Sequence, residues 1–377
     1  MNRRVALYIL LALTVLMLVD GKYGLFNTMA PYKYLVRIEE IEGAGLDPGT
    51  PSAEKGGLIE ARLAPGEVLK ITNSLGNVDV NGKPETQEAQ INYRIYVYAA
   101  SEAIGEAYLH ELDVRATRSE EGLDVRLVEP GQRPEGVHEV RVDMFGSMPS
   151  EARLELNNKM GKVRVQNVSG PSVINNAYND TTIKEIHGDL YVDAAYTNLD
   201  VTGVRGDLVA NGNYGSSSLR NIYGCVSVKS DFRTTTLSDI NGDIEAKASF
   251  GGVKANEVAG NFQARGSYTV IGARNVTGNA MAKTEYGTVH FQGVGGDIQV
   301  NAQRSGITIV IDQTPDHRIF LENQNGNVSL KGTLAKLQPE AGVAGKKTVD
   351  AVVGAGTHSI YVSNVQGSIS ISHPPHP

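Results

Sequence analysis

The chain has 377 residues, of which 41% are hydrophobic, and a formal net charge of −7 at pH 7. This weakly acidic balance argues against a nucleic-acid-binding protein, which would need a basic face. The single cysteine, Cys225, cannot form an intrachain disulfide, so the chain is not a small module stapled by disulfides.

Residues 1–36 contain an apolar run that predicts a membrane anchor. The run extends from Val5 to Val19 and follows Arg3 and Arg4. This length suits a signal-peptide core or a minimal anchor helix, and no small-x-small cleavage motif follows directly. We expect an uncleaved anchor in the cell membrane, with the arginines in the cytoplasm and the remaining chain extracytoplasmic. Cleavage of this segment would instead give a secreted protein.

The next two segments are predicted to be a linker and a cap. Residues 37–66 are rich in Gly, Pro, Glu and Ala, which predicts a flexible linker. Residues 67–150 predict a small α+β unit, with Ser101 as the N-cap of a helix that runs to about Leu112. Alternating apolar residues predict strands at 91–99 and around Val114, Leu123–Leu127 and Val140–Met144. We expect this unit to cover the first coil of the following domain, because an uncovered end presents unpaired strand edges.

A glycine repeats every 18 residues through the centre of the chain, at Gly170, Gly188, Gly206, Gly224, Gly242, Gly260, Gly278 and Gly296. A branched aliphatic residue stands two positions before each glycine. An aromatic residue stands eight positions after each of the first seven glycines, at Tyr178, Tyr196, Tyr214, Phe232, Phe250, Tyr268 and Tyr286. A repeat of this regularity decides the fold class.

Within one repeat, counted from the glycine as position zero, the apolar residues alternate with polar ones. Positions two, four, eleven and thirteen are mostly aliphatic, which predicts two short strands buried on one face. No repeat has the length or the 3.6-residue periodicity of a helix. The sequence therefore predicts an all-β, single-stranded β-solenoid over residues 151–372, whose 18-residue coils stack about 4.8 Å apart.

The same template continues on both sides of the strict region. One coil is predicted upstream at Leu154–Val168, one downstream at Ile319–Leu330, and a last one at Ile360–Ile371. Residues 334–356 break the template and predict a loop insertion, and residues 373–377 predict a solvated tail.

Four segments share a form of two alternating apolar residues, an Asn-containing corner, a glycine and two more alternating apolar residues: Leu69–Val80, Leu154–Val165, Ile319–Leu330 and Ile360–Ile371. With the strand that ends at Pro149, they resemble the bacterial cell-envelope family called "putative adhesin", a domain of unknown function built as a β-solenoid. The resemblance covers roughly residues 67–372. It implies a structural or adhesive role near the bacterial surface and supplies no catalytic residues.

The aromatic column is expected to lie in the core. Position eight is even-numbered, like the inward-facing positions two and four, and small residues at position six leave room beside the ring. Leu75 and Met160 replace the aromatic residue in outlying coils, and neither could serve a sugar-binding platform. Stacked core rings are therefore favoured over a carbohydrate-binding face.

The residues at position five of the repeat are predicted to form an exposed column, and in four successive repeats these residues are basic. Like charges about 4.8 Å apart repel each other, so this ladder would favour an anionic partner such as an envelope polymer. Nearby acidic residues could neutralise it equally well, which would make it only a solvated face. The candidate polyanion-binding residues are Lys229, Lys247, Arg265 and Lys283.

The acidic residues give no sign of catalysis or metal binding. Asp189, Asp207, Asp243 and Asp297 each follow a repeat glycine, and an aspartate in that place is ordinary turn chemistry. Only the first two lie on adjacent coils, too few for a strong calcium site. No Ser/His/Asp set or metal-ligand spacing occurs. No catalytic residue, cofactor or metal is expected.

Three functional hypotheses follow. The first is a non-enzymatic, membrane-anchored solenoid with a structural or adhesive role, which binds envelope polymers or partner proteins along its side. The second is a carbohydrate-active lyase or hydrolase on the same scaffold, although the strict repeat leaves almost no insertions to form a groove. The third is a self-assembling scaffold that stacks through an exposed end. The oligomeric state is left open.

Overall fold

A computed structural model describes residues 49–312 and 316–373. The predicted anchor at 1–36 and residues 374–377 of the predicted tail lie outside the described residues. Within the described part, the helices are too short and too polar for any of them to span a bilayer.

The described residues are mostly β-strand, with one α-helix, α1 (Glu102–Glu111), and two short 3-10 helices, Thr333–Lys336 and Val343–Gly345. The strands before the strict repeat are β1 (Ala53–Arg62), β2 (Val68–Asn73), β3 (Val78–Lys83), β4 (Glu88–Ala99), β5 (Asp113–Arg118), β6 (Gly122–Val128), β7 (Val137–Pro149), β8 (Arg153–Met160) and β9 (Val163–Val168). Those within it are β10 (Ser172–Tyr178), β11 (Thr181–Ile186), β12 (Leu190–Ala195), β13 (Leu199–Val204), β14 (Leu208–Ile222), β15 (Val226–Ile240), β16 (Ile244–Ser249), β17 (Gly252–Val258), β18 (Phe262–Ser267), β19 (Val270–Val276), β20 (Ala280–Glu285) and β21 (Thr288–Val294). The last strands are β22 (Ile298–Val310), β23 (His317–Gly332), β24 (Glu340–Ala341), β25 (Lys346–Val353) and β26 (His358–His373).

Each 18-residue repeat contributes to two parallel ladders. In the first ladder Ser172 pairs with Leu190, and Leu190 pairs with Leu208. In the second ladder Thr181 pairs with Leu199, and Leu199 with Ser217. Within the strict repeat each paired strand residue therefore lies beside the residue 18 positions away, and a column of equivalent residues in the sequence is also a column in space.

The core contains the residues that the alternation predicted. Positions two and four are buried in the first ladder, as at Leu190 and Val192, and positions eleven and thirteen are buried in the second, as at Leu199 and Val201. The aliphatic residues two positions before each glycine are buried as well, except the half-buried Val294. These residues form one continuous apolar interior.

The repeat glycines lie where neighbouring backbones approach closely. A Cβ added to Gly206 would lie 2.6 Å from the carbonyl oxygen of Gly188, and one added to Gly224 would lie 2.3 Å from that of Gly206. No side chain fits at such a distance, so this corner requires glycine.

The predicted α+β unit at 67–150 contains its predicted elements. Ser101 caps α1, and its Oγ accepts a hydrogen bond from the Ile104 N–H at 3.4 Å. Strands β6 and β7 pair in parallel with β2 and β3, which pair in turn with β8 and β9. The antiparallel strands β5 and β4 then lie beside β6 and β7.

The predicted flexible linker at 37–66 is wrong over residues 53–62, which form β1. This strand pairs antiparallel with β4, from Ala53 opposite Val97 to Arg62 opposite Glu88. The glycines that suggested flexibility make room for a neighbour, because a Cβ on Gly57 would lie 2.3 Å from the Tyr93 hydroxyl oxygen. The glycines of this strand therefore reflect close packing against Tyr93 and not flexibility.

At the C-terminal end, the order in space differs from the order in sequence. Strand β26 pairs with β22 on one edge and with β23 on the other, so the coil predicted to be last lies between the two earlier strands. The predicted loop insertion at 334–356 is also wrong over residues 346–353. These residues form β25, which pairs antiparallel with the outer edge of β23 and buries Val349.

Candidate functional site

The aromatic column lies on the surface, which corrects the expectation that it packs in the core. Rings at five of its positions are exposed, from 38% at Tyr196 to 51% at Tyr268. The cause is a backbone reversal at position eight, where φ is between 53° and 59° from Tyr196 to Tyr286. One residue in the left-handed region breaks the alternation, so positions seven and eight both point outward and position nine points inward.

The aromatic column forms one continuous stack. Successive ring centroids are 4.8–5.3 Å apart and the rings are nearly parallel, with interplanar angles of 3–14°. At one end the Arg304 guanidinium lies 5.1 Å from the centroid of Tyr286. At the other end Tyr178 pairs with Met160. The stack therefore spans seven repeats.

This stacking decides which part of each ring is available. The faces of the inner rings are covered by their neighbours, so solvent meets the ring edges. A sugar that stacks on an aromatic residue needs a free face, and the inner rings offer none. The edges of an aromatic ring are electropositive, and they favour oxygen atoms that carry negative charge.

The basic ladder lies where the sequence predicted it. Lys229 pairs in register with Lys247, Lys247 with Arg265, and Arg265 with Lys283. All four side chains are exposed. The column is bounded by Asn211 on one side and by Asn301 on the other.

Acidic neighbours neutralise the basic ladder only in part. Glu245 lies 3.2 Å from Lys247 Nζ and 3.9 Å from an Arg265 guanidinium nitrogen. Within the described part of the chain, Lys229 and Lys283 form no ion pair. The pKa of Asp193, two repeats before Lys229, is raised by burial, and the charge of Lys229 opposes that rise. The ladder therefore keeps unpaired positive charge at both ends.

The basic ladder and the aromatic column run side by side over four repeats. Each basic residue is followed three positions later by a stacked ring, in the pairs Lys229 and Phe232, Lys247 and Phe250, Arg265 and Tyr268, and Lys283 and Tyr286. Position seven lies between them and carries Asp231, Ser249, Ser267 and Glu285. We call these twelve residues the basic–aromatic strip. It carries four cations and two carboxylates, with the hydroxyl groups of Ser249 and Ser267 in its middle repeats and Asp231 and Glu285 in its end repeats.

A buried arginine that the sequence reasoning missed lies at position nine, beneath the aromatic column. Arg233 is 2% exposed, and burial lowers the pKa of its guanidinium to about 10. It donates hydrogen bonds to the carbonyl oxygens of Ala194, Thr197 and Tyr214. It also donates to Ser217 Oγ at 2.7 Å. Among the described residues no carboxylate pairs with it.

Glycines of the preceding repeat make room for this guanidinium, and they are the feature of the sequence from which its burial could have been predicted. A Cβ on Gly212 would lie 2.9 Å from Cζ of Arg233. In the sequence, an arginine stands at position nine where other repeats have Asn, Thr, Gly or Ser, and two glycines stand in the preceding repeat at positions six and nine.

The aspartates after the repeat glycines serve the turn, as predicted. Asp189 Oδ1 accepts a hydrogen bond from the Asp207 N–H at 2.9 Å, and Asp207 Oδ1 accepts one from the Cys225 N–H at 2.8 Å. Asp243 and Asp297 accept equivalent bonds from the next strand. In the described ranges, no group of three or more His, Cys, Asp or Glu side chains is placed to hold a metal ion.

A groove of about 750 Å³ lies on the outer face of the first ladder, next to the α+β unit. Its floor includes the half-exposed Val173, Tyr191 and Val209. Six carboxylates and one arginine line it: Glu67, Glu120, Glu121, Glu155, Asp189, Asp207 and Arg153. The outer face of the first ladder is therefore acidic near its N-terminal end and basic in the later repeats.

Comparison with known proteins adds three structural neighbours. No family model matches the chain, and no curated protein matches it. A "putative cell adhesion protein" from Clostridium sporogenes is 11% identical, with 85% of this chain and 100% of that chain covered and a TM-score of 0.22. A "putative adhesin" from Bacteroides fragilis is 9% identical, covers 86% and 100%, and has a TM-score of 0.28.

A "putative adhesin" from Parabacteroides distasonis is 10% identical, covers 67% of this chain and 99% of that chain, and has a TM-score of 0.26. All three are named for adhesion, as is the family that the sequence resembles. At these TM-scores the likeness carries no argument, so the fold and the site rest on this chain's own contacts.

Proposed function

We propose that the protein is a non-enzymatic, membrane-tethered β-solenoid that acts outside the cytoplasm in a structural or adhesive role, and that it binds an anionic envelope polymer along its side. The observation that carries this proposal is the basic ladder, in which four exposed cations occupy paired positions on adjacent strands. Like charges so close to each other are stabilised by an anionic partner. The 18-residue register of both ladders supports the solenoid.

The ends of the first ladder support a lateral surface over assembly through the ends. This ladder terminates in antiparallel strands that carry charged residues, β5 before the repeat and β25 after it, and the second ladder begins with the antiparallel, charged strand β1. Charged edge strands resist pairing with another chain. The tether is proposed from the apolar run at Val5–Val19 and the preceding arginines.

The test is co-sedimentation of the full-length protein with purified envelope fractions at low and high salt. The test variant replaces Lys229, Lys247, Arg265 and Lys283 with Ser. We expect salt-sensitive pelleting of the native protein and its loss in this variant, because ion pairs with a polyanion are screened by salt.

A matched control removes four exposed cations from the second ladder by replacing Lys184, Arg220, Lys254 and Arg274 with Ser. None of these four residues pairs in register with another of them. The control lowers the net charge equally, so a loss of pelleting in both variants would contradict a specific ladder. Absence of pelleting by the native protein would contradict the proposal outright.

A further inference from the structure

We infer that the anionic partner is a linear polymer with one carboxylate per sugar, lying along the basic–aromatic strip at right angles to the strands. This inference rests on the proposed function, because it names the class of polymer that the same ladder binds. It starts from the spacing of the charges. Paired residues on adjacent strands are about 4.8 Å apart, so the ladder presents one cation per strand spacing.

An extended chain of linked uronic acids advances by about one strand spacing per sugar, and each sugar carries one carboxylate. Its charges are therefore spaced along the chain axis about as closely as the cations of the ladder, and the long Lys and Arg side chains can reach carboxylates on either side of the polymer. A compact anion would reach only one or two of the four cations. The geometry favours a polymer whose axis is parallel to the column.

The aromatic column sets how the sugar lies. Phe250 and Tyr268 are stacked with ring centroids 5.0 Å apart, so a pyranose has no free ring face between them. Their electropositive edges still favour carboxylate and hydroxyl oxygens. The half-buried Ser249 and Ser267, between these rings and the cations, can donate hydrogen bonds to the same oxygens. The polymer is thus held by its polar groups and does not stack on the rings.

The ends of the strip limit the length of polymer that it recognises. The basic ladder stops at Asn211 and at Asn301, and Asp193 lies one repeat beyond Asn211. The acidic groove begins in those same repeats. A polyanion that extended in that direction would meet repulsion, so four successive carboxylates should saturate the site.

The experiment measures binding of labelled oligogalacturonates to the full-length protein, with chains shorter than, equal to and longer than four sugars. We expect affinity to rise with length up to about four sugars and to change little beyond. Replacing all four cations with Ser removes four exposed ion pairs and should therefore weaken binding by roughly tenfold. The second-ladder control should stay within about twofold, and the methyl-esterified oligomers should not bind.

Three outcomes would overturn the inference. The first is affinity that keeps rising with chain length well beyond four sugars. The second is an equal loss of affinity in the second-ladder control. The third is binding of phosphatidylglycerol vesicles or of polyphosphate without binding of oligogalacturonates, which would assign the ladder to a phosphate-bearing partner. If the envelope fractions still pellet the native protein and not the ladder variant, the proposed function stands even when the inference fails.

Discussion

The corners at positions eight and fifteen of each repeat share one backbone conformation and carry opposite chemistry. From Tyr196 onward φ at position eight is 53–59°, and from Glu185 onward φ at position fifteen is 52–77°. Position fifteen is filled mainly by Asn, Asp, Glu and Gly, and the next residue inward is aliphatic, as at Asp239 and Ile240. Position eight is filled by aromatic residues, and the next residue inward is polar or small, as at Phe232 and Arg233.

This difference shows that backbone preference explains only one of the two corners. Asn, Asp and Gly adopt the left-handed region readily and fill five of the seven positions fifteen from Glu185 to Gly293, so in those repeats this corner follows local backbone chemistry. An aromatic residue in the left-handed region, as at position eight, costs about 1–2 kcal/mol of folding free energy. Each stacked pair contributes about 0.5–1.5 kcal/mol beyond its buried area, which offsets that cost. The aromatic corner therefore depends on its neighbours in adjacent repeats, and the other corner does not.

The largest expected effect concerns Arg233, the buried polar residue that follows the aromatic residue at position eight. Arg233→Ala should lower the free energy of unfolding by about 3 kcal/mol, because it opens a cavity and removes the donor for buried carbonyl oxygens. Arg233→Met keeps most of the volume and should lose about half as much. Chemical denaturation followed by circular dichroism measures both variants. Equal losses in the two variants would show that volume contributes little here.

The next effect compares one substitution at both corners. Phe232→Val should cost about 2–3 kcal/mol, because a β-branched residue is strained in the left-handed region and both stacking contacts are lost. Asp239→Val has the same strain without the stacking loss and should cost about 1–2 kcal/mol. Denaturation midpoints of the two variants test this difference. Equal costs would mean that the stack adds no stability.

Glycine at the same two positions should give a qualitative difference. Asp239→Gly should change stability by at most about 0.5 kcal/mol, since relief of left-handed strain offsets the entropy that glycine gains in the unfolded chain. Phe232→Gly gains the same relief but loses two ring contacts, and it should cost about 1–2 kcal/mol. Thermal unfolding distinguishes them, because only the second variant should show a lower Tm. A destabilised Asp239→Gly would contradict the assignment of that corner to local backbone chemistry.

The two corners also separate what the sequence could predict from what it could not. The 18-residue period, both ladders and the inward residues follow from alternation, and the exposed basic ladder follows from the same rule. The exposure of the aromatic column does not, because one left-handed residue at position eight reverses the parity that alternation assumes. Nothing in the aromatic side chains themselves signals that conformation.

Two other features needed three-dimensional pairing. The place of β26 between β22 and β23 is not readable from the chain, since both β23 and β26 match the same template. The role of Arg233 depends on contacts with the two preceding repeats. Composition alone also assigned the residues of β1 to a linker, because glycines such as Gly56 and Gly57 are typical of linkers. Their packing against Tyr93 is visible only in the structure.

The smallest effect lies next to the aromatic corner, in the basic ladder. Lys283 pairs in register with Arg265 and, within the described ranges, forms no ion pair of its own. Lys283→Ser should therefore raise the free energy of unfolding by about 0.2–0.5 kcal/mol at low salt, because it removes a like-charge contact. The gain should vanish at high salt, where screening already weakens that repulsion. Lys247→Ser serves as the comparison, since it relieves repulsion from both Lys229 and Arg265 but also loses the ion pair with Glu245. Denaturation at both salt concentrations measures the effect, and a loss of stability in Lys283→Ser would show that the ladder is not under repulsion without its partner.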